Sequence, residues 1–240
     1  MEERGTPAYV AEFIGTFFLV LFICIVVSLN SAGGLGFTDW AVIGLVHAFI
    51  LAMLVYTLGG TSGAHFNPAV TAALAGLRKI TLIDAVIYWL VQLAGAVAAA
   101  LVTKLLLLDE GRGANYGATS ISKLLSGNVG AGFLCEALGA FVLMWAIMGV
   151  AVNPRGERAW AGWVIGIALG VGVMIFGPLD GAGFNPARSF GPALVANHWP
   201  DFWIYVIGPV TGALAAAFGY RLLVLEPAER VAQRPIDTLE

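Results

Sequence analysis

Gly63-Ala64-His65-Phe66-Asn67-Pro68-Ala69 returns 118 residues later as Gly181-Ala182-Gly183-Phe184-Asn185-Pro186-Ala187. Asparagine is a strong helix N-cap and proline is favoured at the first helical position, so each Asn-Pro pair opens a helix. After the first pair only the ten residues 68–77 remain before Arg78-Lys79. Such a segment rises about 15 Å, half of a ~30 Å hydrocarbon core. One such pair is a capped helix in any protein; two at matched positions call for a common explanation.

The chain around these motifs is made for lipid. Hydrophobic residues are 59% of the 240 and charged residues only 11%, against roughly 25% charged in a soluble domain. Mean hydropathy is +0.87. Twelve Lys and Arg against fifteen Asp and Glu give a net charge of −3 with no basic patch, so nucleic acid is not a partner. Cys24 and Cys135 lie inside apolar runs, which leaves no disulfide framework and no metal or redox motif. Neither a metal nor a cofactor is expected. Enzyme signatures such as HExxH or GxSxG are absent as well.

Six stretches are long and apolar enough to span a bilayer: Ala8 to Leu29, Trp40 to Leu58, Leu82 to Leu107, Ala131 to Val152, Trp160 to Phe176 and Phe202 to Leu225. The first is preceded by Glu2, Glu3 and only one basic residue, Arg4, holds Glu12 and exceeds a signal peptide's apolar run, so it is expected to stay in the mature chain. With both termini cytoplasmic, that side holds Arg4, Arg78, Lys79, Arg155, Arg158, Arg221, Arg230 and Arg234. The other side holds Lys104, Arg112, Lys123 and Arg188, a bias of eight against four.

The two halves of the chain repeat each other. Glu12 matches Glu136 at an offset of 124, Asn67 matches Asn185 at 118, and Gln92 of the third span matches Pro209 of the sixth at 117. Three spans per half is an odd number, so the second copy enters the membrane from the opposite face. The expected fold is therefore an all-α membrane protein, six transmembrane helices plus two re-entrant half-helices in an inverted repeat, with its site near the midplane. One channel domain covers 1–240: a first repeat over 8–108, a connection over 109–128, the inverted repeat over 129–226 and a short tail over 227–240. Irregular backbone such as Gly63 to Phe66 is tolerated at membrane depth only inside protein or lining a watery cavity, and a pore accounts for it.

These features resemble those of the aquaporins, the major intrinsic protein family, over residues 8 to 225. The resemblance is carried by Ala11-Glu12-Phe13-Ile14-Gly15-Thr16, by Ser62 through Thr71, and by Asn185-Pro186-Ala187-Arg188-Ser189-Phe190-Gly191. It implies a homotetramer with one pore per protomer, in the cell membrane. It also implies that the carbonyls of Gly63, Ala64, His65, Gly181, Ala182 and Gly183 form an acceptor ladder along the pore. Counted from the motifs, the family's outer filter falls on His47, Val173, Ala182 and Arg188. This set is similar to that of tonoplast-type members, and its two small walls imply passage of water and of small neutral solutes such as ammonia, urea and hydrogen peroxide. Val206 stands where water-type members usually carry Trp, which keeps a glycerol facilitator as the alternative; a proton-coupled transporter is the weaker rival.

The residues supply a selection mechanism. A capping asparagine spends its oxygen on its own helix, leaving the NH2 of Asn67 and Asn185 to donate into the pore. A central water can then only accept, which interrupts proton hopping, and two positive helix ends oppose cations. Glu12 and Glu136, buried acids at matched positions, are expected to hold the irregular loops by accepting from their backbone, with Gln92 in the same network. His65 is read as a backbone contributor, His198 as a loop residue, and Pro192 as a break in the second half-helix.

Overall fold

Two half-length helices sit end to end inside a cage of long ones. The computed structural model describes residues 4–32 and 37–228. Helix α1 (Thr6–Ala32) and α2 (Phe37–Ser62) are followed by the half-helix α3 (Pro68–Gly76) and by α4 (Leu82–Leu106). A short helix α5 (Leu108–Gly113) lies in the connection. Then come α6 (Val129–Ile147), α7 (Ala161–Asp180), the second half-helix α8 (Pro186–Ala196) and α9 (Ile204–Tyr220). Helices α6 and α9 run on through π-helical turns at Met148–Val152 and Arg221–Leu225. Six of these helices are long and apolar enough to cross a membrane. Arg230, Arg234 and most of the 227–240 tail lie outside the described residues.

Packing follows the repeat. Helix α1 lies on α4 as α6 lies on α9, α2 pairs with its counterpart α7, and each half-helix crosses over, α3 against α9 and α8 against α4. The third helix of each half approaches the first through a glycine. A Cβ at Gly95 would stand 2.6 Å from the Phe13 carbonyl, and one at Gly212 would stand 1.9 Å from that of Ala137. Small residues of this kind let helix backbones touch where lipid offers no hydrophobic driving force between helices.

Polarity is turned inside out relative to a soluble protein. Leu82, Leu105, Leu223 and Trp160 face outward, while Glu12, Gln92, Glu136, Asp180 and Arg188 are buried. The 109–128 connection, expected as a plain loop, is folded: beyond α5 it makes short 3-10 turns at Asn115–Gly117 and Lys123–Leu125. It is tied down by Ser122 N–H donating to the Leu179 carbonyl at 2.8 Å and by a 2.6 Å bond between Ser120 Oγ and His198 Nε2. His198 is therefore more than a loop residue. Pro192 does not break α8, which continues to Ala196.

Substituting Gly212 by Val overpacks the α6–α9 contact and is expected to cost about 1–3 kcal/mol or more. Gly60→Ala, where the added methyl meets nothing within 4 Å, should be neutral or gain up to ~1 kcal/mol. Thermal unfolding of the detergent-solubilised proteins checks both, and equal melting temperatures would contradict the packing.

Candidate functional site: a pinched path between two half-helix caps

Each half-helix begins as its sequence dictates. Asn67 caps α3, its side-chain oxygen accepting from Ala69 N–H at 2.8 Å. Asn185 caps α8 by accepting from Ala187 at 3.0 Å and Arg188 at 3.3 Å. The amide nitrogens, expected to be free, are half committed. Asn67 Nδ2 donates to the Phe184 carbonyl at 2.9 Å, and Asn185 Nδ2 donates to the Phe66 carbonyl at 2.8 Å. Each amide has two N–H bonds, so one remains on each for a solute. The cause is proximity: the caps meet at the centre, and each satisfies the last carbonyl of the other's lead-in loop.

Those loops are backbone in unusual conformations. Gly63, Ala64 and Phe66 have positive φ, and so do Gly181, Ala182 and Phe184. For residues with a Cβ such backbone is strained and persists only when its surroundings hold it. The surroundings are explicit. Glu12 accepts from His65 N–H at 2.9 Å and Phe66 N–H at 2.7 Å; Glu136 accepts from Gly183 and Phe184 N–H. Gln92 donates to Glu12 at 2.8 Å and to Thr71 Oγ1 at 3.1 Å. The Phe66 and Phe184 rings lie against Gly15 and Gly139, where an added Cβ would come within 2.0 Å in each case. His65 is engaged through Nδ1 with Thr71 Oγ1 at 3.0 Å.

Three cavities lie in series. On the Arg188 side a vestibule of about 520 Å³ is lined by Gly117, Gly181 and Arg188. On the His65 side one of about 720 Å³ is lined by Arg4, Gly63, Ala64 and His65. Between them a chamber of about 20 Å³ is lined by His47, Ala64, His65, Asn67, Gly183, Asn185 and Arg188. It shares Arg188 with the first vestibule and Ala64 and His65 with the second. That volume holds about one water. The structure thus brings together the two capping asparagines, His47 and Arg188; Val173 and Ala182 are buried but do not line the chamber.

The polar lining is oriented. His47 Nδ1 lies 2.8 Å from the Ile43 carbonyl and must carry a hydrogen there. Its Nε2, buried and without a partner among the described residues, is left for a solute. Arg188 is held by Nη1 donating to the Gly117 carbonyl at 2.7 Å. Sequence reasoning missed Gly117, because no motif marks a carbonyl in a long connection. It also missed Ser62, Asp180, Tyr88 and Tyr205, although their matched spacing was a signal: Tyr88 donates to the Ser62 carbonyl at 2.7 Å and Tyr205 to that of Asp180 at 2.8 Å. Val206, weighed as a selectivity position, lines a separate apolar hollow with Trp89, Pro68 and Pro186 and does not reach the three cavities. Among the described residues no three His, Cys, Asp or Glu side chains cluster to hold a metal.

Comparison with known proteins agrees with this architecture. Residues 3–220 match the model of a family described as "Major intrinsic protein". Nodulin-26 of Glycine max is 39% identical over 219 residues, 89% of this chain and 76% of that protein. Aquaporin AqpM of Methanothermobacter thermautotrophicus is 37% identical, covering 92% of this chain and 98% of its own. The X-ray structure of the aquaglyceroporin from Plasmodium falciparum superposes with a TM-score of 0.78 at 20% identity, covering 94% and 98% of the two chains, a likeness of fold.

Removing Glu12 as Leu strands two buried N–H groups, each costing about 1–3 kcal/mol. Glu12→Gln keeps one carbonyl acceptor and should cost less. Folded yield and melting temperature should fall in the order wild type, Gln, Leu; a Leu variant as stable as wild type would contradict the support role.

Proposed function

This chain belongs to the major intrinsic protein family, the aquaporins, and from that premise we propose that it is a passive channel for water and small neutral solutes that excludes protons. It is an integral multi-pass membrane protein and not an enzyme. The observation that carries the reading is the one-water chamber between two vestibules, with Asn67, Asn185, His47 and Arg188 in its wall.

A water in the chamber meets one remaining N–H from each asparagine and offers them its oxygen. Its hydrogens then point away along the path, and the file of waters changes direction there, so no continuous donor-to-acceptor chain exists for a hopping proton. Helices α3 and α8 both present their amino ends to this point, a positive field that disfavours hydronium. Carbonyls of Gly63, Ala64 and His65 on one side, and of Gly181, Ala182 and Gly183 on the other, serve as acceptors for the outgoing hydrogens. Pro68, Ala69, Pro186 and Ala187 fix the caps from which the asparagines act.

Arg188 supplies donors and a fixed charge at the outer constriction, and His47 Nε2 supplies an acceptor opposite it. By likeness to tonoplast-type channels Val173 and Ala182 are the two remaining filter positions, set back from the chamber wall. Their small size favours ammonia, urea and hydrogen peroxide besides water. Two inverted repeats build each pore, four protomers associate, and both termini face the cytoplasm of the cell membrane.

In proteoliposomes under an osmotic gradient, water should equilibrate fast and reversibly with little proton leak. An ammonium pulse should alkalinise the lumen faster than in empty vesicles, and glycerol should not drive rapid re-swelling. His47→Phe should lower ammonia and urea flux severalfold while sparing water. Unchanged solute range in that variant would remove His47 from the filter, and rapid glycerol re-swelling would favour the facilitator.

A further inference from the structure

The two loops leading into the half-helices are built alike and differ in one support. In the first, three successive N–H groups are taken in order, Ala64 by the Ser62 hydroxyl and His65 and Phe66 by Glu12. In the second, Asp180 accepts from Ala182 at 2.9 Å, and Glu136 accepts from Gly183 and Phe184. Asp180 stands 118 residues after Ser62, and a tyrosine hydroxyl braces the backbone carbonyl of each.

What differs is the supply of hydrogens. Ser62 Oγ also donates to Glu12 at 2.7 Å, and the Gln92 amide donates to it at 2.8 Å. Glu136 has neither donor, because the Gln92 position is Pro209 and the Ser62 position is a second acid. Asp180 is fully buried, and its Oδ2 meets no donor among the described residues. It also ends α7, where the helix dipole is negative and an anion is unwelcome.

The titratable groups facing Asp180 are Glu136 and Cys135 from α6, Arg188 from α8 and Tyr205 from α9. None of them donates to Asp180 Oδ2: Arg188 bonds to Gly117 and Tyr205 to the Asp180 backbone. Asp180 and Glu136 accept from consecutive N–H groups of one loop, and two buried carboxylates gathered there are strongly disfavoured, whereas one proton between them turns repulsion into a hydrogen bond. A buried carboxyl oxygen that meets no donor is satisfied by being the donor itself.

We propose that Asp180 is a positioning residue of the second loop, a carboxylic acid that donates to Glu136 as the Ser62 hydroxyl donates to Glu12. With the shared proton, Glu136, Asp180 and Arg188 sum to zero charge. Without it a second anion appears behind the filter, the pair repels, and the N–H groups of Ala182 to Phe184 lose their common anchor. The loop that carries Ala182 and leads into the helix of Arg188 is then sensitive to alkaline medium. The flux consequence rests on the channel reading; the protonated carboxyl does not.

The full-length protein in proteoliposomes tests this by water flux and by infrared difference spectra over about pH 6 to 9. Wild-type flux should hold near neutrality and fall roughly twofold or more as the protonated-carboxyl C=O band disappears. Asp180→Asn, whose amide can donate to Glu136, and Asp180→Ser, which copies the first repeat, should conduct like wild type at neutral pH. Both should lack the band and the alkaline fall. A band untouched by Asp180→Asn, or an alkaline fall that survives in it, would overturn the proposal. An Asp180-dependent band in a protein that passes no water would sink the channel reading and support the acid pair.

Discussion

Irregular backbone inside a bilayer has no water to receive its N–H groups, and the rest of this molecule is arranged around that constraint. Residues 63–66 and 181–184 must be non-helical if two half-helices are to start at the centre, yet each N–H left unpaired there carries a large desolvation cost. Glu12 and Glu136 resolve this by projecting a two-oxygen acceptor from the first helix of each half onto successive N–H groups. Burying those acids in turn requires donors, and the donors require close helix contacts. Gly15 and Gly139 give room to the phenyl rings that pin the loops, and Gly95 and Gly212 bring the third helices within reach. The sequence of glycines, acids and aromatics is one set of linked requirements.

Much of this was legible in the residues alone, because it is written in local chemistry and repetition. Asn-Pro at 67 and 185 specifies a capped helix start, ten following residues specify half a membrane, and an odd number of spans per half specifies inversion. Glu12 and Glu136 declared themselves as acids too costly to lack partners. What could not be read was the tertiary exchange. Nothing local says that the Asn67 amide will meet the Phe184 carbonyl, 117 residues away, or that Gly117 will hold Arg188. The connection 109–128 lacks the periodicity by which helices and strands are recognised, so its folding against the mouth of the path left no trace. Val206 shows the opposite error, in which a position was weighed by likeness to relatives and lies away from the path.

The duplication also separates what the path demands from what it tolerates. Both halves keep the Asn-Pro-Ala cap, the acid, the phenylalanine at positive φ and the bracing tyrosine. They diverge in side-chain support, with Ser62, His65, Thr71 and Gln92 in one half and Asp180, Gly183, Ser189 and Pro209 in the other. The first set supplies neutral donors to Glu12 and Thr71, with Gln92 Oε1 its one buried atom lacking a partner among the described residues. The second is open, with Asp180 Oδ2 and Ser189 Oγ buried and without partners among the described residues. A symmetric scaffold therefore encloses a path whose two ends differ chemically.

The reciprocal bonds between the asparagines and the opposite phenylalanine carbonyls constrain how the molecule can be made. When residues 63–76 leave the ribosome, neither the Phe184 carbonyl nor helix α9, against which α3 packs, has been synthesised. The first re-entrant segment is thus born without its resting place and cannot finish folding in order of synthesis. Its settling at the centre must follow synthesis of α9, so the path is assembled from both halves together rather than one half at a time.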